Sequence, residues 1–150
     1  MPAISVIIPV RNGGPMFQRC LAALAASTVC PRELIVADDG STDDSSHWAE
    51  AAGARVVHTE RPGSGPALAR NLAAQHATGD LLFFCDADVE IRPDTLAQIQ
   101  RAFSTDPGLA ALFGSYDDEP ADPGFVSQYK NLMHHYVHQD GQHEASTFWA

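Results

Sequence analysis

The chain has 150 residues, enough for one domain with a sizeable core, and its 45% hydrophobic and 19% charged content is that of a globular protein. Nine Lys and Arg stand against nineteen Asp and Glu, a formal net charge of −10, which argues against a general nucleic-acid binder and against electrostatic attachment to anionic lipid. An anionic ligand would therefore need a local device: a metal ion, a helix N-terminus or a single arginine.

Apolar β-rich runs alternate with helical patterns. The first run is Ile4-Ser5-Val6-Ile7-Ile8-Pro9. Behind Pro15, which suits a first helical turn, Phe17, Leu21 and Leu24 recur at i, i+4 and i+7 and predict a helix. The second run is Glu33 to Ala37, and Ser41-Thr42-Asp43-Asp44 then offers N-cap residues and first-turn acids for a short helix carrying Trp48. Arg55 to His58 is a third run. A helix opening at Pro66 would turn Leu68 and Leu72 inward and close at Gly79. The fourth run, Leu81 to Cys85, is nearly continuous in apolar residues, as is the second, so both are expected to be strands covered on two faces. Pro93-Asp94 opens a helix with Leu96, Ile99 and Phe103 in one stripe, and Leu109 to Phe113 reads as a fifth strand. After the Pro-rich loop from Asp117 to Gly124, Phe125, Tyr129, Leu132, Met133, Tyr136 and Val137 line one face of a further helix. Strands alternating with helices imply βαβ units: an α/β fold with a mostly parallel, Rossmann-like sheet flanked by helices.

Cys20, Cys30 and Cys85 form an odd set without a Cys-x-x-Cys spacing, and are expected to be reduced thiols in or near the core of a cytoplasmic protein. The N-terminus carries no basic n-region, and no run approaches the roughly 18 apolar residues of a membrane span. Membrane association is expected only through residues beyond 150. Phe148-Trp149 at the end reads as an element about to begin, so the chain is expected to be part of a longer protein.

In open α/β sheets, ligands bind beyond the carboxyl ends of the strands. Those ends carry Pro9-Val10-Arg11-Asn12, Asp38-Asp39-Gly40-Ser41, Gly63-Ser64-Gly65-Pro66 and Asp86-Ala87-Asp88. Asp86 and Asp88, one residue apart after an apolar strand, would repel each other in a low-dielectric setting. A divalent cation, Mg²⁺ or Mn²⁺, would resolve that conflict, with water and substrate phosphates completing its shell. The bland alternative is a solvated turn. Asp38-Asp39 reads equally as a turn with a helix cap and as an acceptor of hydrogen bonds from a base or ribose. The glycine-rich segment is neither a Walker loop nor a dinucleotide fingerprint. Arg70, one turn into the helix after it, is placed to reach a diphosphate, or else is a surface arginine.

Together, Pro9-Val10-Arg11-Asn12, Asp38-Asp39-Gly40-Ser41-Thr42-Asp43, Gly65-Pro66-Ala67-Leu68-Ala69-Arg70-Asn71, Asp86-Ala87-Asp88 and Pro93-Asp94 resemble the family-2 glycosyltransferases of the GT-A fold. The resemblance runs from about Ile4 to Phe113 and more loosely to Ala150. It implies a donor site for a nucleotide-diphospho-sugar, most often a UDP-sugar. Pro9, Val10 and Asn12 would line the nucleoside pocket, Asp39 would contact the base with Asp38 beside it, and Arg70 would lie near the nucleotide. Asp86 would reach the ribose or the metal, and Asp88 would be the principal ligand of Mn²⁺ or Mg²⁺. Transfer to an acceptor hydroxyl, whose identity the sequence leaves open, would be inverting and would need one general base. No match to that base occurs by Ala150, so it is expected further along, and residues 1–150 would be the donor-binding portion of a single domain.

Three rival readings share some of these features. One is a nucleotide-sugar binding module without turnover, which the missing base suggests. Another is a haloacid-dehalogenase-type phosphatase, which also places Asp-x-Asp after an apolar strand. That chemistry needs a lysine before its later acidic pair, whereas the chain's lysine, Lys130, follows Asp117-Asp118. The third is a zinc site at His134, His135, His138 and His143, of which His134 and His138 have i, i+4 spacing but lack a Cys or Glu partner at a known spacing.

Overall fold

The computed structural model describes residues 1–116, 118 and 123–140, the last three by backbone alone. It divides into two units, Met1–Leu109 and Ala110–Ala150.

The first unit is an α/β sandwich. Its elements run β1 (Ile4–Val10), α1 (Gly14–Ala25), β2 (Glu33–Asp38), α2 (Ser45–Ala51), β3 (Arg55–His58), α3 (Pro66–Ala74), β4 (Leu81–Phe84) and α4 (Thr95–Thr105). The four strands form a parallel sheet in the order β3-β2-β1-β4. Register places Val10 opposite Asp38 and Ile7 opposite Phe84. The chain therefore steps outward from β1 to β3 and then crosses back to the other side of β1. A right-handed crossover puts its helix on one face when stepping one way and on the opposite face when stepping back. Accordingly, α1 and α2 lie with α4 on one face, where Phe17, Cys20, Leu21, Leu24, Ala49 and Leu96 pack on Ile4, Val6, Ile8, Val10 and Val36. The returning helix α3 covers the other face, where Ala69 and Ala73 pack on Ile7, Ile35 and Ala37. Alternate residues of β1 and β2 feed the two clusters, as the two-residue period of a strand requires. All seven residues of β1 are buried, because it has a strand on each side and helices above and below.

The helix from Phe17 to Leu24 matches its pattern, and α4 packs Leu96 and Ile99 on the core, with Gln100 rather than Phe103 buried beside them. Four local expectations are corrected. Helix α3 buries Ala69 and Ala73, while Leu68 is half exposed. The two i, i+4 stripes are adjacent, and the smaller one allows close packing on the sheet. That helix also ends at Ala74, not at Gly79, whose role is a close approach. A Cβ there would lie 2.7 Å from Ser5 Oγ and 2.8 Å from the Ala3 carbonyl oxygen. Strand β4 is half covered: Leu81 and Phe83 join the first cluster, whereas Leu82 and Phe84, on the α3 side, are nearly half exposed. Helix α2 carries no acid in its first turn; from the Ser41–Asp44 run, Asp44 takes the N-cap position and Asp43 accepts the side-chain bonds, from Ser45 N–H and Oγ–H at 3.1 and 2.6 Å.

In the second unit, residues 109–113 form no strand, although Leu109 belongs to the first unit. Two alanines lower the β-propensity of the run, and Gly108 and Gly114 bracket it. Helix α5 (Phe125–Asp140) forms, but its aromatic stripe is open: Phe125, Tyr129 and Tyr136 are all exposed. The His135 ring nitrogen lies 2.5 Å from the Tyr116 carbonyl oxygen, and the His134 ring sits 5.5 Å from that of Tyr116. Among the described residues, no group of three or more His, Cys, Asp or Glu could hold a metal ion, and no helix is long and apolar enough to cross a membrane. Asp117, Glu119, the His138 side chain, His143 and Thr147 to Ala150 lie outside the described residues.

Phe17, fully buried between α1 and the sheet, should be the costliest helix residue to truncate. Phe17→Ala is expected to lower unfolding free energy by about 3–5 kcal/mol in a urea melt, and Leu68→Ala by less than about 1 kcal/mol. Equal losses would contradict the assigned phase of α3.

Candidate functional site

Reversal of strand order around β1 opens a crevice at the carboxyl ends of β1 and β4. Three loops and the segment after β4 meet there. The loop after β1 is fixed by Asn12, which adopts a left-handed conformation with φ 53°. Its Oδ1 accepts from Thr42 N–H at 2.7 Å, Thr42 Oγ1–H at 3.2 Å and Asp43 N–H at 3.4 Å. In return, Asn12 N–H donates to Ser41 Oγ at 3.0 Å, Gly13 N–H to Ser45 Oγ at 3.1 Å and Gly14 N–H to Asp43 Oδ2 at 3.0 Å. Asn12 thus ties the first loop to the second. An asparagine tolerates this backbone region better than most residues.

Asp38 and Asp39 are both nearly sealed from solvent. Asp38 Oδ1 accepts from Ser41 N–H at 2.7 Å, Oδ2 accepts from the Ser46 hydroxyl, and His58 Nδ1 stands 3.9 Å away. Burial pushes its carboxyl up, but the hydrogen bonds from Ser46 and Ser41 and the nearby imidazole outweigh that and hold it below the usual aspartate value. Asp39 serves a different loop. Its Oδ1 accepts from Thr59 Oγ1–H at 2.7 Å and Ser64 N–H at 2.9 Å, and its Oδ2 accepts from Gly65 N–H at 2.9 Å. Burial again opposes ionisation. The bonds from Thr59, Gly65 and Ser64, with the Arg11 charge, prevail and lower its pKa. Gly65 can present its N–H this way because it has φ 92° and ψ 159°, a region open essentially to glycine alone.

Above Asp39 lies a cavity of about 180 Å³ lined by Pro9, Val10, Arg11, Asp39, Gly63, Gly65, Pro66 and Ala69. A carboxylate offers about four lone-pair sites, and three are occupied here, so Oδ2 keeps one for a donor in the cavity. A second, shallower hollow of about 700 Å³ lies on the outer side of α3, between Glu60 to Ser64 and Leu68, Asn71, Leu72 and Gln75. It is larger and shares Gly63 with the first cavity, but neither aspartate pair of the strand ends lines it.

Arg70, largely buried in α3, forms an ion pair with Asp86 Oδ1. It is therefore not a surface arginine in an i, i+4 pair. Asp86 is half exposed, and Asp88 is exposed with no hydrogen bond or ion pair among the described residues. The two carboxylates occupy one turn after β4, closed by Val89 N–H donating to the Asp86 carbonyl at 3.2 Å. Their hard oxygens, free on Asp88 and partly free on Asp86, fit Mg²⁺ or Mn²⁺ bound through one or two carboxylates plus substrate phosphates. They do not make an all-protein cage.

The structure therefore gathers Pro9, Val10 and Asp39 around one cavity and joins Arg70 to Asp86. Asn12 and Asp38 do not line that cavity: Asn12 joins the loop after β1 to the loop after β2, and Asp38 braces the segment from Ser41 to Ser46. Arg11, Gly63, Gly65 and Thr59 are site residues that the sequence reading did not single out for these roles. Arg11 and the glycines stand inside the motifs, while Thr59 reveals itself only through its contact with Asp39.

The profile of "Glycosyl transferase family 2" matches residues 5–146, and the chain belongs to that family. Among curated relatives, the glucosyl-3-phosphoglycerate synthase of Mycobacterium tuberculosis is 40% identical over 102 residues, 62% of this chain and 31% of that protein. A mannosyltransferase from Pyrobaculum calidifontis, solved with GDP-Man and Mn²⁺, superposes with a TM-score of 0.67 at 31% identity, covering 87% of this chain and 38% of that one. Staphylococcus aureus TarS 1–349 with UDP-GlcNAc gives 0.66 at 25% identity, covering 79% and 39%. The fold is that of these GT-A proteins. The chain spans about a third of the length of the curated relatives it matches.

Because Asp38 and Asp39 are both held below the ordinary aspartate pKa, the stability they add is complete above about pH 4 and is lost as pH falls through their folded values. Urea midpoints should hold down to about pH 4 and then fall. Asp39→Asn should start lower near neutrality and lose less on acidification. An identical acid limb in wild type and variant would contradict this.

Proposed function

We propose that the chain binds the nucleotide-diphospho-sugar donor of a metal-dependent glycosyl transfer. The observation that carries the proposal is one crevice holding a nucleobase-sized cavity over a buried carboxylate and, beside it, an exposed carboxylate on the Asp-x-Asp turn. The solved relatives with UDP-GlcNAc and with GDP-Man and Mn²⁺ support it.

In this proposal the base enters the cavity between Pro9, Val10 and the Gly63–Pro66 segment. Asp39 accepts a base N–H on its remaining lone pair, which the N3–H of uracil would supply, and the proposed donor is a UDP-sugar. Asp38 and Asn12 act one step removed, by fixing the loops that shape the cavity. Asp88 is the principal ligand of Mn²⁺ or Mg²⁺, and Asp86 contributes its free oxygen to the metal or the ribose. The cation would neutralise charge on the departing diphosphate. Arg70 holds Asp86 in place and keeps a positive charge beside the phosphates. An acceptor hydroxyl attacks the anomeric carbon from the face opposite the leaving diphosphate and inverts it, losing its proton to a general base. That base lies outside the residues gathered here, since Asp38, Asp39 and Asp86 are engaged and Asp88 is given to the metal. Residues 1–150 then form the donor-binding portion, and turnover needs acceptor-side residues elsewhere in the parent protein. The proposed setting is the cytoplasm.

A calorimetric titration of UDP with and without Mn²⁺ tests this. UDP should bind more tightly with Mn²⁺, and Asp88→Asn should remove that gain, at least about tenfold or 1.4 kcal/mol. Metal-independent binding, or a gain that survives Asp88→Asn, would overturn the assignment. Slow release of UDP from UDP-sugar by this chain alone would place a base within it, against the donor-binding module.

A further inference from the structure

Cys20 and Cys85 are far apart in sequence, and the donor site does not use them. Both are buried and reduced, whereas Cys30, expected near the core, is exposed. Cys20 lies on α1 and Cys85 just past β4, in the same apolar cluster. The two Sγ atoms each lie 3.5 Å from the Asp86 carbonyl oxygen, so a single acceptor gathers both thiols at one point of the fold. The neighbouring side chain on α1 reinforces the junction: Arg19 Nε pairs with Glu90 Oε1 at 3.1 Å. Two points of α1 therefore grip the segment 85–90, which carries the Asp-x-Asp turn.

We propose that Cys20 and Cys85 are a redox-modifiable pair whose oxidation to a disulfide loosens the Asp86–Asp88 turn. A hydroperoxide is the oxidant. One thiol gives up its proton and attacks the peroxide O–O bond, becoming a sulfenic acid and releasing water (an alcohol for an organic peroxide). The second sulfur then attacks the first, the S–S bond forms, and the sulfenic oxygen leaves as water. Two thiols thus lose two electrons and two protons to one peroxide. The disulfide draws the sulfurs to about 2.05 Å and has no S–H. The Asp86 carbonyl then loses both sulfur donors and keeps the Val89 N–H alone. Access comes by local opening of β4, which among the described residues pairs with β1 alone and leaves Leu82 and Phe84 nearly half exposed.

The test uses the 150-residue chain carrying Cys30→Ser, titrated with hydrogen peroxide. Mass spectrometry under non-reducing conditions should show the loss of two hydrogens and a Cys20–Cys85 cross-linked peptide, both reversed by dithiothreitol. A further Cys85→Ser change should abolish the cross-link. Peroxide treatment that leaves both thiols alkylatable in denaturant, or that yields only sulfinic acid, would overturn the pairing. For the coupling, amide exchange across residues 85–90 should be several-fold faster in the oxidised chain than in the reduced one, and unchanged by peroxide in the Cys85→Ser chain. Equal exchange in oxidised and reduced chains would overturn it. Weaker Mn²⁺-dependent UDP binding on oxidation is also expected. That readout rests on the donor-site proposal, whereas the cross-link and the exchange rates do not, so the two can fail separately.

Discussion

The buried carboxylate of Asp39 sets the shape of the crevice. It sits at the end of β2 and faces a loop that leaves β3, and its two oxygens collect a hydroxyl and two backbone N–H groups from that loop. A charge this well shielded from water is tolerable only when its lone pairs are met. The loop meets them, and in doing so it is folded back over the sheet edge. Together with the backbone bond from Gly63 N–H to the Asp39 carbonyl at 3.1 Å, that anchor holds the Gly63–Pro66 segment opposite Pro9 and Val10 as a wall of the cavity. The start of α3 follows from the same anchor, because Gly65 both donates to Asp39 and caps the helix that carries Arg70.

Charge is distributed unevenly along this edge. Asp38 and Asp39 have their negative charges matched by hydrogen bonds inside the protein. Asp86 is half matched, by Arg70, and Asp88 is left to solvent. The gradient runs from the floor of the cavity to the turn after β4. In a chain with net charge −10, an anionic diphosphate is repelled everywhere except where a cation can be recruited, and the open end of this gradient is such a place.

Much of this could be read from residue order alone. The βαβ alternation is visible because β1 and β2 are apolar runs of strand length bounded by turn residues, and because Phe17, Leu21 and Leu24 repeat at helical spacing. The acidic pairs stand out because they follow apolar strands directly. Other features have no local signature. In α3, Leu68-Leu72 and Ala69-Ala73 are equally periodic, and the closeness of the sheet decides between them. The partners of Asp39 lie 20 to 26 residues away, and those of Asn12 about 30, so only the folded chain brings them together. The run at 109–113 resembled a strand by composition, yet a strand exists only where a neighbour takes up its backbone groups.

The contact of α3 with the sheet through alanines has one more consequence. A helix that rests on methyl groups sits low, and its height above the sheet is then fixed by the bulk of two side chains, Ala69 and Ala73. Ala69 also forms part of the cavity wall and immediately precedes Arg70. The width of the cavity and the reach of the arginine to Asp86 are thereby governed by a single dimension. Variation in the size of these two alanines would act as a spacer, raising or lowering the whole helix, and would retune the cavity and the Arg70–Asp86 pair together without altering either charged residue.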